Sequence, residues 1–159
     1  GHARSGSLIA AMIALLQRVA GAEVKVCEET VGRIGRGLLV FYCAERGDTD
    51  AGCERLLQRI LKLRCFPDDE GRMNRSVQDV AGALLVVSQF TLAADTDGGN
   101  RPGFSRAAAP DEGRRLYERF VQEARARHPD VACGRFGADM QVALVNDGPV
   151  TLWMRVPPS

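Results

Sequence analysis

The sequence has little histidine, and its only two histidines are His2 and His128. His2 lies in an N-terminal segment that we exclude below, and His128 stands beside Pro129 at the predicted end of a helix. A Ser–His or Cys–His pair, which activates the nucleophile of many hydrolases, is therefore not expected. The sequence also lacks the Walker A and G-x-G-x-x-G patterns that bind nucleotide phosphates.

The cysteines give no sign of a disulfide framework or a zinc site, because there are five of them and none forms a C-x-x-C pair. We therefore expect reduced thiols. Cys43 lies within an apolar run and is predicted to pack in the core. The acidic run at residues 68–70 is predicted to be a solvated turn, because calcium loops need more oxygen ligands at regular spacing. Neither a metal ion nor another cofactor is predicted.

Long hydrophobic runs are also absent, and the apolar runs present are too short to span a membrane. Residues 1–11, which begin Gly-His, have the character of a cloning remnant and lack the apolar stretch of a secretory signal. We therefore take Met12 as the natural start and predict a single domain over residues 12–159. A soluble, cytoplasmic protein with no membrane partner is expected.

The chain carries no excess charge of either sign. Without residues 1–11, which include Arg4, basic and acidic residues each number 20. No overall field would attract nucleic acid. Any contact with RNA must therefore come from a local patch or from a terminal nucleotide held in a pocket.

Apolar runs and alternating patterns predict a sheet with two helices. The expected strands cover residues 13–16, 22–26, 31–34, 38–43, 84–87, 131–136, 140–145 and 150–156. The first helix is capped by Asp48 or Thr49 and ends near Phe66, and the second runs from Pro110 to His128. The predicted fold class is α+β: one compact domain with a mainly antiparallel, barrel-like sheet and two helices packed against it.

The second helix and the loop before it carry the candidates for contact with phosphate. The loop contains Arg101 and Arg106, and at about a dozen and a half residues it is long enough to be functional or mobile. The helix has five arginines interleaved with glutamates. A solvated face explains them as the default, and an RNA-facing surface is the alternative.

The run Leu84-Leu85-Val86-Val87 predicts a strand buried on both faces, and it leads directly into Ser88-Gln89-Phe90-Thr91. A core strand that carries polar groups at its carboxyl end can hold reactive groups rigidly. The alternative is an ordinary strand end whose hydroxyls bond nearby backbone. The residues of this stretch alone leave both interpretations open.

A second stretch, Asn146-Asp147-Gly148-Pro149-Val150-Thr151, would by itself predict a hairpin turn between two apolar strands. Together with Ser-Gln-Phe-Thr-Leu at 88–92, however, it resembles the two signature motifs of the D-aminoacyl-tRNA deacylase (D-tyrosyl-tRNA(Tyr) deacylase) family. The resemblance runs from about Met12 to Val156. It includes residues 13–19, 71–74, 101–105 and 134–140.

The resemblance implies an enzyme that hydrolyses the ester joining a D-amino acid to the 3′-terminal adenosine of tRNA. Ser88, Gln89, Phe90 and Thr91 would form the hydrolytic site, with their backbone N–H groups facing the carbonyl under attack. A ribose hydroxyl of the substrate would supply the missing base. For the Thr91 hydroxyl, the preferred role is to line the pocket, and the role of nucleophile ranks second.

The resemblance also implies a homodimer in which the Gly148–Pro149 peptide bond is cis and enters the active site of the other subunit. There it would reject L-aminoacyl-tRNA by steric clash. Arg18 would hold this loop, and Met140 and Phe136 would line the amino-acid pocket. Because glycine has no side chain to reject, glycyl-tRNA, including glycine mischarged on tRNA(Ala), is expected to be hydrolysed as well.

Two alternatives come from other classes of protein. One is a nucleic-acid-binding module without catalysis, which would use the arginine-rich helix and the 95–109 loop. The other is a dimeric interaction domain whose site has lost its activity.

Overall fold

The computed structural model describes residues 11–157. The strands are β1 (Met12–Val26), β2 (Glu29–Ile34), β3 (Gly37–Ala44), β4 (Phe66–Pro67), β5 (Met73–Arg75), β6 (Ala83–Ser88), β7 (Val131–Cys133) and β8 (Gln141–Val156). The helices are α1 (Asp50–Lys62) and α2 (Pro110–Arg127), and a 3₁₀ turn covers Phe90–Ala93. The predicted cloning remnant lies, apart from Ala11, outside the described residues, so that prediction stays a prediction.

The main sheet has the order β2-β1-β3-β6-β7, with β8 also paired to β1. The long strand β1 pairs with β3 along its first half, with β2 along its second half, and with β8 along most of its length. The two ends of the sheet approach one another, since a Cβ on Gly32 of β2 would lie 2.6 Å from the carbonyl oxygen of Cys133 in β7. The sheet is therefore nearly closed into a barrel.

The predicted fold class is confirmed, although the sheet is mixed. The β3–β6 and β6–β7 pairs are parallel, whereas the pairs made by β1 are antiparallel. Parallel neighbours need a long crossover connection, usually a helix. Here α1 lies in the connection from β3 to β6, and α2 lies in the connection from β6 to β7. The two helices thus account for the two parallel pairs.

Several predicted strand boundaries were wrong. The runs at 13–16 and 22–26 belong to the single strand β1, and those at 140–145 and 150–156 belong to the single strand β8. The hairpin at 147–149 was also wrong, because β8 continues in one direction along β1 on both sides of this segment. Between these paired stretches, four residues of β8 oppose one residue of β1. The segment is therefore a bulge within one strand.

The helices begin where the sequence predicts. The Gly52 N–H donates to Thr49 Oγ1 at 3.2 Å and so caps α1, and Pro110 occupies the first turn of α2. The first helix ends at Lys62, four residues earlier than predicted. The second ends at Arg127 and is capped by His128, whose Nε2 lies 2.6 Å from the carbonyl oxygen of Gly82. His128 is thus a buried helix end rather than part of a catalytic pair.

Strand β6 is buried on both faces, as its apolar run predicts. Leu84 and Val86 belong to the core between the sheet and the two helices. Leu85 and Val87 belong to a second core inside the barrel. Because successive side chains of a strand point to opposite faces, packing on both sides requires an uninterrupted apolar run. This double burial fixes the position of the polar residues that follow β6.

A buried carboxyl group between β3 and α1 gives the fold a pH-dependent stability. Asp48 is 6% exposed, and its Oδ2 accepts from the Glu45 N–H at 2.8 Å. Its Oδ1 has no hydrogen-bond partner among residues 11–157. Burial, with a smaller contribution from the Glu45 carboxylate, raises the pKa of Asp48 to about 6. Because this pKa lies above its ordinary value, the free energy of unfolding falls as the pH rises from about 4 to about 6.

We expect Asp48→Asn to stabilise the protein at pH 8. Asparagine keeps an acceptor for the Glu45 N–H but removes the buried charge, whose cost is about 3 kcal/mol at about 1.4 kcal/mol per pKa unit. Its own buried N–H₂ group offsets part of this gain. The free energy of unfolding from urea titrations should therefore rise by about 1–2 kcal/mol at pH 8 and change little at pH 4. Parallel pH profiles for the two proteins would contradict this account.

Candidate functional site

A pocket of about 530 Å³ opens at the carboxyl end of β6. The predicted site residues that line it are Ser88, Gln89, Phe90, Thr91, Phe136 and Met140. Six of the nine residues singled out in the sequence are therefore together in one place, although they come from two distant segments of the chain. Phe41, Val87 and Val142 supply apolar walls.

The chain turns sharply where β6 ends, and this turn exposes backbone donors. The Gln89 N–H donates to the Tyr42 carbonyl at 2.8 Å, which extends the pairing of β6 with β3 by one bond. The 3₁₀ turn then begins at Phe90. The first N–H groups of a helical turn have no partner within it. Those of Phe90 and Thr91 accordingly have no hydrogen-bond partner anywhere in the described chain.

The pocket has no titratable side chain among its lining residues. The Thr91 hydroxyl accepts a hydrogen bond from Gln89 Nε2 at 2.9 Å, and no base lies beside it. Cys43 lies under the 3₁₀ turn, with its Sγ 3.8 Å from the Phe90 carbonyl oxygen. Burial raises the pKa of this thiol to about 12, so Cys43 stays protonated and packs as a core residue. A reaction in this pocket would depend on backbone donors and on groups that the substrate brings.

The aromatic residues at the mouth of the pocket include one that the sequence analysis missed. Phe90 is 57% exposed, and its ring meets that of Phe104 edge to face at 4.9 Å between centroids. Phe104 comes from the long loop before α2, which is held by a pair of backbone hydrogen bonds between Asp95 and Gly103. Ala108, Pro110, Gly137 and Ala138 also line the pocket. Small loop residues carry no sequence pattern that predicts their place in the wall of a pocket.

The opposite wall of the pocket depends on the absence of a side chain at Gly134. A Cβ at this position would lie 2.8 Å from Met140 Sδ, so Gly134 leaves the space that Met140 occupies. The Phe136 ring packs against Tyr117 of α2, with 5.8 Å between centroids. The guanidinium carbon of Arg114 lies 4.9 Å from the centroid of the same Phe136 ring.

The remaining three predicted site residues lie in and beside the bulge of β8, and none of them lines this pocket. The Gly148–Pro149 peptide bond is cis, and both residues are exposed. Arg18 of β1 holds the bulge: its Nε donates to the Asp147 carbonyl at 3.0 Å, and its Nη1 donates to the Cys65 carbonyl at 2.8 Å.

Further hydrogen bonds fix the far side of the bulge. Asn146 Oδ1 accepts from the Val150 N–H at 2.8 Å, and Asn146 Nδ2 donates to Thr151 Oγ1 at 2.9 Å. Gly148 has a φ of +135°, and a Cβ there would lie 2.8 Å from Val150 Cγ2. Only glycine fits this position without displacing its neighbours. The bulge is thus a rigid, exposed projection.

Residues 11–157 lack two kinds of feature, a helix that could span a membrane and a cluster of metal ligands. Neither of the two helices is long and apolar enough to cross a membrane. Over the same range, no group of three or more His, Cys, Asp or Glu side chains is placed to hold a metal ion. The cytoplasmic location predicted from the sequence stays a prediction.

A pocket with free backbone N–H groups and hydroxyls, but no base of its own, is the kind of site that a hydrolase acting through position and backbone dipoles would use. The comparisons with known proteins agree with this class. The family model described as D-Tyr-tRNA(Tyr) deacylase matches residues 15–155. The chain belongs to this family, as its resemblance in sequence implies.

Curated relatives match nearly the whole chain. The D-aminoacyl-tRNA deacylase of Aromatoleum aromaticum is 70% identical over 148 residues, which are 93% of this chain and 97% of the relative. That of Variovorax paradoxus is 68% identical over 141 residues, 89% of this chain and 97% of the relative. A solved structure of a c-Myc DNA Unwinding Element Binding Protein is 37% identical with a TM-score of 0.85, and the match covers 89% of this chain and 97% of that one.

Proposed function

We propose that the protein is a homodimer that hydrolyses the ester bond of D-aminoacyl-tRNA and releases the free D-amino acid and the tRNA. The reaction would remove D-amino acids before they enter translation. The observation that carries this proposal is the combination of two features: a pocket with unpaired backbone donors, and a rigid exposed bulge elsewhere in the chain. In the proposed dimer this bulge would enter the pocket of the second subunit.

The pocket supplies the hydrolytic step through the N–H groups of Phe90 and Thr91. These donors would bind the carbonyl oxygen of the ester as it gains negative charge, which is where an oxyanion hole lowers the barrier most. A free hydroxyl of the terminal ribose would accept the proton of the attacking water and pass its own proton to the ester oxygen that leaves, because no lining side chain is titratable. Met140 and Phe136 would contact the amino acid. Phe90, exposed at the mouth, would stack on the terminal adenine.

Selection of the D ester would come from the other subunit. Rejecting the L ester a thousandfold requires about 4 kcal/mol. A pocket that discriminates between substrates by the fit of one methylene group supplies only about 1–3 kcal/mol of this difference. A rigid carbonyl placed where an L side chain would project rejects it by steric clash instead. In this proposal the Gly148–Pro149 bulge carries that carbonyl, and Arg18 holds it in position.

The exposed apolar residues of β8 support the dimer. Val145 and Trp153 lie on either side of the bulge in this strand and are 63% and 59% exposed. Large apolar side chains exposed in one region commonly mark a contact surface. A partner that covers them would also receive the Gly148–Pro149 bulge.

The experiment that tests the proposed function compares D-tyrosyl-tRNA with L-tyrosyl-tRNA. Loss of the D ester alone, followed by release of the labelled amino acid, would support a stereoselective deacylase. Equal hydrolysis of both esters, or of neither, would contradict it. Size measurement by light scattering in the same buffer tests the dimer separately.

We further expect glycyl-tRNA to be hydrolysed, including glycine mischarged on tRNA(Ala). Glycine has no side chain, so a steric filter against L side chains cannot exclude it. Its rate should approach that of the D ester under the same conditions. Survival of glycyl-tRNA while D-tyrosyl-tRNA is consumed would count against a purely steric filter.

One observation favours a second candidate, nucleic-acid binding without catalysis. The solved relative at 37% identity is named for binding a DNA unwinding element. The two functions differ in turnover: a binding module would retain D-tyrosyl-tRNA intact in a salt-sensitive complex, whereas a deacylase would release tyrosine.

A further inference from the structure

The arginines of α2 fall into two groups that differ in their partners. Three of them have a carboxylate partner within 3.3 Å, and two of these pairs join α2 to α1. Arg115 lies 2.9 Å from Asp50, and Arg119 lies 2.9 Å from Glu54. Arg127 lies 3.3 Å from Glu123 one turn earlier in α2. These three side chains stabilise the packing and surface of the helix pair, so their charge is largely balanced within the protein.

The second group lines a groove of about 440 Å³ between α2 and the segment that follows β7. Its arginines are Arg114 and Arg125 from the helix and Arg135 from the segment. In the described part of the chain, no carboxylate lies within 4.0 Å of Arg125 or Arg135. Glu118 is the only acidic lining residue, and its distance to Arg114 is 3.9 Å. The groove thus holds three positive charges against one negative charge.

The groove and the catalytic pocket share a wall. Phe136 lines both of them. The residues just before it, Gly134 and Arg135, line the groove, and the residues just after it, Gly137 and Ala138, line the pocket. The groove and the pocket are therefore neighbours, with the Phe136 side chain between them.

We propose that this groove, defined by Arg114, Arg125 and Arg135, binds phosphates of the acceptor end of the tRNA whose terminal nucleotide occupies the pocket. The inference rests on the proposed function, because it takes the occupant of the pocket from it. The guanidinium group matches a phosphate with two parallel donors. The Arg114 guanidinium, which stacks on Phe136, keeps its in-plane donors available for such a contact.

The groove would supply a local attraction for RNA that the overall charge of the chain does not provide. The formal charge of the whole chain is +1, which gives no general attraction for RNA. Arginines whose positive charge exceeds that of the nearby carboxylates attract RNA beside the pocket, where the substrate must dock. Such contacts make affinity depend on salt, with each phosphate contact adding about 0.7–0.9 to the slope of log affinity against log salt.

The test uses the double variant Arg125→Gln/Arg135→Gln and the matched control Arg115→Gln/Arg127→Gln. Both remove two positive charges, but the control removes arginines that are already paired. Binding of uncharged tRNA(Tyr) is measured over a range of salt concentrations. Hydrolysis of the D-tyrosyl ester of adenosine, which has no phosphate, is measured in parallel. Thermal melting shows that each variant is folded, and Arg135→Gln alone serves as a milder change at an exposed position.

We expect the groove variant to bind tRNA about 10- to 100-fold more weakly at low salt, with a salt slope shallower by about 2. Its kcat/KM for the adenosine ester should match that of the wild type, and the control should bind tRNA within about threefold of the wild type. Unchanged tRNA affinity, or an equal loss in the control, would overturn the proposal. A different outcome would contradict the proposed function: the wild-type protein would bind tRNA but leave D-tyrosyl-tRNA intact.

Discussion

Replacing Phe90 by proline should lower kcat for D-tyrosyl-tRNA by about 10²- to 10³-fold relative to replacing it by alanine. Both changes remove the exposed ring, but only proline also removes the N–H group. If that N–H binds the developing oxyanion, its loss should appear in kcat. The pair of variants therefore separates the backbone donor from the side chain.

Proline should be accommodated at this position. Phe90 is the first residue of its 3₁₀ turn, and its N–H has no partner within the described chain. The residue before it, Gln89, has φ −145° and ψ 94°, an extended conformation outside the α region that a following proline disfavours. Similar melting temperatures for the two variants would confirm this. Equal kcat values would exclude the Phe90 N–H as an essential donor.

Thr91→Val provides the control for a nucleophilic hydroxyl. This variant keeps the Thr91 N–H and loses Oγ1, which accepts a hydrogen bond from the Gln89 amide. A reduction of kcat by less than about tenfold is expected if the hydroxyl only lines the pocket, because the oxyanion donors remain. A loss as large as that of the proline variant at Phe90 would favour Thr91 as the nucleophile.

Replacing Arg18 by methionine should raise hydrolysis of L-tyrosyl-tRNA by about 10²-fold and leave kcat for the D ester nearly unchanged. The guanidinium joins two carbonyls, those of Asp147 and Cys65, and so fixes the bulge that carries Gly148. Methionine keeps the aliphatic length but cannot donate to either carbonyl. Arg18 would thus be a positioning residue, whose loss affects selectivity more than turnover.

Arg18→Lys is the conservative control for this prediction. Lysine keeps the positive charge but lacks the planar fork that reaches two carbonyls in fixed geometry. It should restore rejection of the L ester only in part. Equal losses of D and L hydrolysis in the methionine variant would show instead that Arg18 supports the fold or the pocket as a whole.

Local patterns in the sequence were sufficient to predict the burial of β6 and both helix starts. The apolar run of β6, the cap of α1 and the first-turn proline of α2 each lie within a few residues of the element that they define. The continuity of β8 was not predictable in this way. Its bulge interrupts the apolar pattern, and only the register of β8 against β1 shows that the two halves form one strand.

The site was predictable to the extent that its motifs are contiguous. Residues 88–91 come directly after a buried strand, so the strand fixes their position. The role of Phe104 in the aromatic mouth and the division of the α2 arginines into two groups were not predictable. Both depend on contacts between segments distant in sequence, such as the ion pairs from Arg115 and Arg119 to α1. The sequence of a helix shows which residues are charged, but it does not show which of them form ion pairs with a neighbouring helix.

The central claim is that the hydrolytic donors and the selective bulge of one working site come from different subunits. A mixed dimer tests it most directly, with Phe90→Pro in one subunit and Arg18→Met in the other, purified through two different affinity tags. Its only active pocket lies in the Arg18→Met subunit and would be guarded by the intact bulge of the Phe90→Pro subunit. The account predicts that this dimer hydrolyses D-tyrosyl-tRNA and spares L-tyrosyl-tRNA. Hydrolysis of the L ester at the rate per active pocket of the Arg18→Met homodimer would contradict it.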